Sequence, residues 1–208
     1  MDVLHGTYKT IAEPSSGTYK DKGSKFLAFA FPVTREESIR EIVEDIRKKY
    51  FDARHHCYAY RLGPEKKDFR SNDDGEPSGT AGKPILGQLL SHDLTDIVIV
   101  VVRYFGGTLL GTSGLIQAYK LASADALQNA SIIQKFVYVT YILHFDYVHM
   151  NTVMKIIKDF DLLAYDQDFQ ITCSLKIKIK LDEEANVLSK ITLFREITCK
   201  KTGIEENK

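Results

Sequence analysis

No charge of one sign dominates this chain: 28 Lys and Arg side chains stand against 28 Asp and Glu. The balance holds in each part, with 17 basic and 17 acidic residues over 1–134 and 11 of each over 135–208. Bulk attraction to nucleic acid is therefore disfavoured, and any such contact has to come from a local patch. Cysteine is scarce and unclustered. Cys57, Cys173 and Cys199 include no CxxC pair, which argues against a zinc site or a disulfide framework and suits a reducing cytoplasm. Long hydrophobic runs are missing too. The most apolar stretch, IVIVVV (97–102), is far too short to span a bilayer and reads as a buried strand. The start, MDVLHGTYKT, has no basic segment followed by an apolar one, so no signal peptide is expected. With 44% hydrophobic and 27% charged residues, the composition is that of a soluble globular protein. Its length suits one large domain or two small ones.

Periodicity supplies the elements. SKFLAFAFPV (24–33) reads as a strand ending at a proline. Thr34 then stands three residues before Glu37, the spacing of a capping box, and Ile39, Ile42, Val43, Ile46 and Tyr50 mark an amphipathic helix over 35–50. ARHHCYAYRL (53–62) alternates as a strand, with His55, Cys57, Ala59 and Arg61 on one face and Arg54, His56, Tyr58 and Tyr60 on the other. After a polar loop and a short apolar segment, ILGQLLSHDL, the strand 97–105 leads through a glycine-rich turn to the helix LIQAYKLASADALQNA. Leu115, Tyr119, Ala122 and Ala126 form its apolar stripe. Beyond about residue 134 the pattern restarts as strand, helix, two strands, helix and strand, the βαββαβ order of a ferredoxin-like unit. The linker is expected to be short, since no proline or glycine cluster separates the halves, and the closing TGIEENK is expected to fray.

Several stretches carry chemistry-bearing residues. In DDGEPSGTAGKP (73–84), Asp73, Asp74 and Glu76 are metal candidates through oxygen ligands, but they equally suit hydrogen bonds to the amides of a tight turn around Gly75. Ser78, Thr80 and Lys83 accompany closely spaced amides of the kind that hold anions, or that build a purely structural loop. Pro84 after Gly82-Lys83 breaks the phosphate-loop pattern. In RYFGGTLLGTSGL, the glycines Gly106, Gly107, Gly111 and Gly114 sit between a buried strand and a helix start, with Arg103 and the Thr112 and Ser113 hydroxyls nearby. That position favours an anion, or close packing of helix on sheet. His55 and Cys57 share a face, but a catalytic cysteine would also need an orienting group and an oxyanion pocket. Lys176, Lys178 and Lys180 alternate with Leu175, Ile177, Ile179 and Leu181, so the lysines should line the sheet face away from the helices. Such lysines can grip a phosphate backbone or simply solvate a surface.

KGSKFLAFA, ARHHCYAYR, DDGEPSGTAGKPIL and VVVRYFGGTLLGTSGLIQAY, in this order and spacing, resemble the IMPACT family across roughly residues 15–130. The second half resembles the C-terminal domain of its bacterial members, which is similar to domain V of elongation factor G. The resemblance implies an α+β protein of two domains. Residues 1–134 would form a ribosomal protein S5 domain 2-like domain, a sheet with two helices on one face, and 135–208 a ferredoxin-like domain. It further implies a link to translation or nucleic-acid binding without an established catalytic activity. The motif positions it would carry over to anion or RNA binding are His55, Asp73, Asp74, Ser78, Thr80, Lys83, Arg103, Tyr104, Gly106, Gly107, Gly111 and Gly114, to which the lysine stripe is added. Gln117 departs from the family's usual arginine, and His56-Cys57 from its usual Asn-Cys pair. The expectation is thus a non-catalytic cytoplasmic protein with RNA or the ribosome as partner, no membrane contact and no cofactor. A second expectation, from another class, is a metal-dependent enzyme acting on a phosphorylated small molecule or nucleotide.

Overall fold

The computed structural model describes residues 6–206, and the chain divides into two compact units, 9–134 and 6–8 with 135–206. The chain start read for a signal peptide falls partly outside the described residues, as do the last two residues of the closing segment. Strands and helices mix in both units, an α+β fold.

The first unit is built on an antiparallel sheet in the order β2 (Ser15–Asp21), β3 (Ser24–Pro32), β6 (Ile97–Tyr104), β4 (His55–Leu62), β5 (Asp68–Asn72). Both faces of this sheet are covered, which explains why β6 is apolar at every position from Ile97 to Val102 rather than at alternate ones. Val98, Val100 and Val102 pack with Ile39, Val43 and Ile46 of α1 (Glu36–Lys49). Ile97, Ile99 and Val101 face the opposite way, onto α2 (Gly82–Ser91) and α3 (Gly111–Gln128). The two helices on one face are therefore α2 and α3. Helix α1 covers the other face, a layer that the resemblance did not imply. Each buried Val, Ile or Leu contributes about 1.5–3 kcal/mol over exposure.

Local detail departs from the spacing in three places. Helix α1 starts at Glu36 with Arg35 as its N-cap and no side-chain cap, so the Thr34–Glu37 capping box does not form. Instead Glu36 and Glu37 in the first turn, and Arg47, Lys48 and Lys49 in the last, complement the helix dipole. The apolar segment after the polar loop is helix α2, which begins inside the loop motif at Gly82, with Pro84 in a first turn that needs no amide from it. Helix α3 likewise begins at Gly111, four residues before its apolar stripe. Its stripe residues Leu115, Tyr119, Ala122 and Ala126 are all buried. Gly17 of β2 lets that helix approach, because a Cβ there would overlap the backbone of Asp125 and Ala126.

The second unit has the strand order β10 (Thr198–Glu206), β7 (Ile132–Asp146), β9 (Thr172–Lys180), β8 (Leu163–Phe169), all antiparallel, with β1 (Thr7–Ile11) also beside β7. This is the ferredoxin-like sheet. Helices α4 (Met150–Asp159) and α5 (Glu184–Ile191) bring Val153, Ile156, Val187 and Ile191 onto Leu175, Ile177 and Ile179 of β9. The tail does not fray where it is described: Gly203 to Glu206 pair with Thr140 to Val137.

Candidate functional site

The acidic head of the 73–84 loop is turned inward. Asp73 Oδ1 accepts the amides of Ala81 (3.0 Å) and Gly82 (2.8 Å), and Oδ2 accepts that of Gly79 (2.8 Å). The carboxylate therefore closes the start of α2 from nine residues away, satisfying donors that no earlier turn can reach. Partial burial pushes its pKa up, but the Gly79, Gly82 and Ala81 amides and the Lys83 charge outweigh this and hold it below the usual carboxylate range. Asp74 bridges in the other direction. It accepts from Arg47 (2.6 Å) and from the His56 amide (2.7 Å), while its own amide donates to Asn72 Oδ1. Asp74 and Gly75 both have positive φ, 44° and 84°, which sets the tight reversal that aims Glu76 back into the core.

Glu76 is the point where the two glycine-bearing segments meet. Its Oε1 accepts from Arg103 (2.6 Å) at the end of β6 and from the Tyr119 hydroxyl (2.8 Å) on α3. Both partners are buried, and the Arg103 guanidinium also lies over the Phe26 and Phe105 rings. The Cys57 thiol completes the cluster, 3.0 Å from the Asp73 carbonyl and 3.3 Å from the Tyr119 hydroxyl. Burial pushes the Cys57 thiol far up, and the Glu76, Asp74 and Asp73 charges add to it against the opposing Tyr119 hydrogen bond. Burial does the same to the Tyr119 phenol, helped by Cys57 and Glu76. Both groups stay neutral, so Cys57 has the character of a packed thiol and not of a nucleophile. His55 stands at the rim, its Nδ1–H donating to the Asp74 carbonyl (2.9 Å) and its Nε2 4.0 Å from Glu76. His56, on the opposite face, donates through Nε2 to the Tyr50 carbonyl.

Several residues read as anion ligands are thus engaged elsewhere. Arg103 does not face solvent: Glu76 holds it inside. Tyr104 donates to Asp52 (2.7 Å), and Thr80 is buried with its hydroxyl on the Pro77 carbonyl. Gly106 touches the β2–β3 turn so closely that a Cβ would overlap Gly23 and Ser24, a packing role for that glycine. Ser78, Lys83, Gly107 and Gly111 are exposed, and Gly114 lies half-buried in the first turn of α3. The carboxylates of Asp73, Asp74 and Glu76 go to three separate sets of donors. Among the described residues no cluster of three His, Cys, Asp or Glu side chains is suited to a metal ion. The roles of Glu76 and Tyr119 were missed in the sequence because they depend on a contact across 43 residues. Their one local sign is that a glutamate two places after a turn aspartate has to point somewhere.

The lysine stripe lies in the other unit. Lys176, Lys178 and Lys180 project from β9 on the face away from α4 and α5. Lys176 and Lys178 lie over the Tyr165 ring, 5.9 and 5.5 Å from its centre, and Lys180 over Phe136 at 5.0 Å. Lys176 also pairs with Asp166 (2.8 Å) and Lys180 with Glu183 (3.8 Å), both at the surface. The lysines were legible in the alternation of residues 175–181. The rings were not, because strand pairing brings them there: Tyr165 stands opposite Lys176, and Phe136 lies two residues before Tyr138, the partner of Lys180. All three cysteines are free, and among the described residues no helix is long and apolar enough to cross a membrane.

Residues 22–127 match the model of the Impact N-terminal domain. The chain is 32% identical to the IMPACT family member YigZ of Escherichia coli (strain K12), over 94% of this chain and 97% of that protein. It is 29% identical to the IMPACT family member YvyE of Bacillus subtilis (strain 168), over 98% and 92% respectively. A crystal structure described as that of a hypothetical protein superimposes with a TM-score of 0.70 at 31% identity, covering 97% of this chain and 99% of its own.

Proposed function

The chain belongs to the IMPACT family, and from that premise we propose that it is a non-catalytic cytoplasmic protein that binds RNA or the ribosome and modulates translation. The observation that carries this reading is the pairing of Lys176, Lys178 and Lys180 with the Tyr165 and Phe136 rings on one sheet face. Single-stranded nucleic acid is held by this combination: bases stack on aromatic rings while ammonium groups follow the phosphates, about 1–3 kcal/mol per stacked base. The acidic partners at the surface are weak, about 0–1 kcal/mol each, so phosphates can displace them. A neutral chain can bind this way because the patch is local. Catalysis finds no comparable support in the first unit, where Cys57 is neutral and the loop carboxylates are taken up by amides, Arg47, Arg103 and Tyr119.

The test is binding of the full chain to single-stranded RNA and to purified ribosomal subunits across a salt series. The reading expects affinity that falls with salt, and a marked loss in the Tyr165→Ala/Lys178→Ala double variant. No association with RNA or with either subunit at low salt would sink it.

A further inference from the structure

Helix α1 lies over β4 and β6, and it leaves the edge strand β5 uncovered on its inner side. Strand pairing places Tyr58 opposite Asn72 and Tyr60 opposite Arg70, so these four side chains share the face that α1 overhangs. On the helix, Glu36, Arg40 and Arg47 fall on the stripe that looks into the same space. The result is a cavity of about 290 Å3 between α1 and β4–β5. This is close to the lower end of small-molecule sites, roughly 300 Å3.

We propose that this cavity binds a small organic phosphate ester of about mononucleotide size, at a place outside both glycine-bearing loops to which the sequence pointed for a phosphate. Arg70 is exposed and forms no ion pair among the described residues. Arg40, which lines the same cavity, pairs among the described residues with Glu36 alone, at 3.2 Å, with its side chain 77% exposed. Glu36 also accepts from the Tyr60 hydroxyl at 3.0 Å, so Arg40 can turn to a ligand without leaving that carboxylate unpartnered. Two guanidinium groups from opposite walls suit a tetrahedral phosphate, whereas a lone carboxylate is satisfied by one fork. Glu44 also lines the cavity, its carboxylate 4.0 Å from the Lys48 ammonium, and Arg47 closes the other end. Arg47 is fixed there by Asp74, and Asn72, whose Oδ1 is taken by the Asp74 amide, offers its NH2 group beside the Tyr58 ring. That end suits the hydroxyls or planar ring of the ester. The 73–84 loop then has an indirect part: through Asp74 it holds the far wall of the cavity in place.

This site is in the first unit and is independent of the RNA-binding reading, so each can fail alone. The experiment titrates the full chain with AMP, ribose 5-phosphate and inorganic phosphate by calorimetry, using wild type, Arg70→Gln, Arg40→Gln and Lys178→Ala. Saturable binding of AMP or ribose 5-phosphate is expected, weakened about tenfold or more in Arg70→Gln and in Arg40→Gln. It should be unchanged in Lys178→Ala. If Arg70→Gln loses its circular dichroism, the exposed Arg40→Gln variant decides alone. Absence of saturable binding by any of the three at millimolar concentration would overturn the proposal. So would affinities that both arginine variants leave intact. Inorganic phosphate binding as tightly as AMP would overturn the assignment of an ester.

Discussion

The 73–84 loop and the lysine face of β9 are both built from polar residues, and they are used in opposite ways. In the loop, three carboxylates are taken up by backbone amides, two arginines and a tyrosine. On β9, three lysines turn outward over aromatic rings. The residues that look most like a catalytic motif hold the first unit together. The plainer alternation presents the surface that a polyanion can reach. Burial, more than residue type, decides which of the two is available to a partner.

The largest effect should come from separating Glu76 from Arg103. Glu76→Ala leaves a buried guanidinium unpaired and removes the acceptor of Tyr119, and a loss of about 3–5 kcal/mol is expected in urea unfolding. A loss below about 1 kcal/mol would mean that this pair is not the centre of the loop's packing. Next comes Asp73→Asn, which weakens three amide contacts and should cost about 1–3 kcal/mol. Its pH dependence sharpens the point. The folded-state pKa of Asp73 lies below the unfolded one, so its contribution is present above about pH 4 and is lost as pH falls through the depressed value. Unfolding of the wild type followed below pH 5 should show a steeper acid loss than Asp73→Asn.

A smaller effect concerns the thiols. Native protein treated with iodoacetamide near neutral pH should leave Cys57 unmodified, because burial keeps its thiol protonated and covered. Cys199, half-buried with its pKa pushed up to about 11, should react slowly. Rapid labelling of Cys57, read by mass spectrometry, would contradict its packed role. The smallest effect on stability is expected on β9. Lys178→Ala should change unfolding by no more than about 0.5 kcal/mol, although the same change is expected to weaken RNA binding.

Much of this architecture was legible in the sequence, and the exceptions have physical causes. The helices α1, α3, α4 and α5 and the strands β3, β4, β6, β7 and β9 announce themselves by period. Strands β2 and β5 were not read because edge strands are polar and short. Helix α2 was hidden because its first turn is written in loop residues, Gly82, Lys83 and Pro84, and its cap is Asp73, nine residues from Gly82. The face assignment of His55, Cys57 and His56 followed from alternation alone. The direction of Arg103 did not, since an arginine at a strand end beside glycines looks equally suited to solvent or to a buried carboxylate. Only the turn at Asp74-Gly75, which delivers Glu76 to it, decides between them.

The division between an inward-turned loop and an outward-turned sheet face is tested most directly by one paired measurement. Affinity for single-stranded RNA at low salt is compared between Asp73→Asn and Tyr165→Ala/Lys178→Ala, both confirmed folded by circular dichroism at low temperature. The account predicts near wild-type affinity in Asp73→Asn and a loss of about tenfold or more in the β9–β8 variant. Affinity that falls in Asp73→Asn and survives in Tyr165→Ala/Lys178→Ala would contradict it.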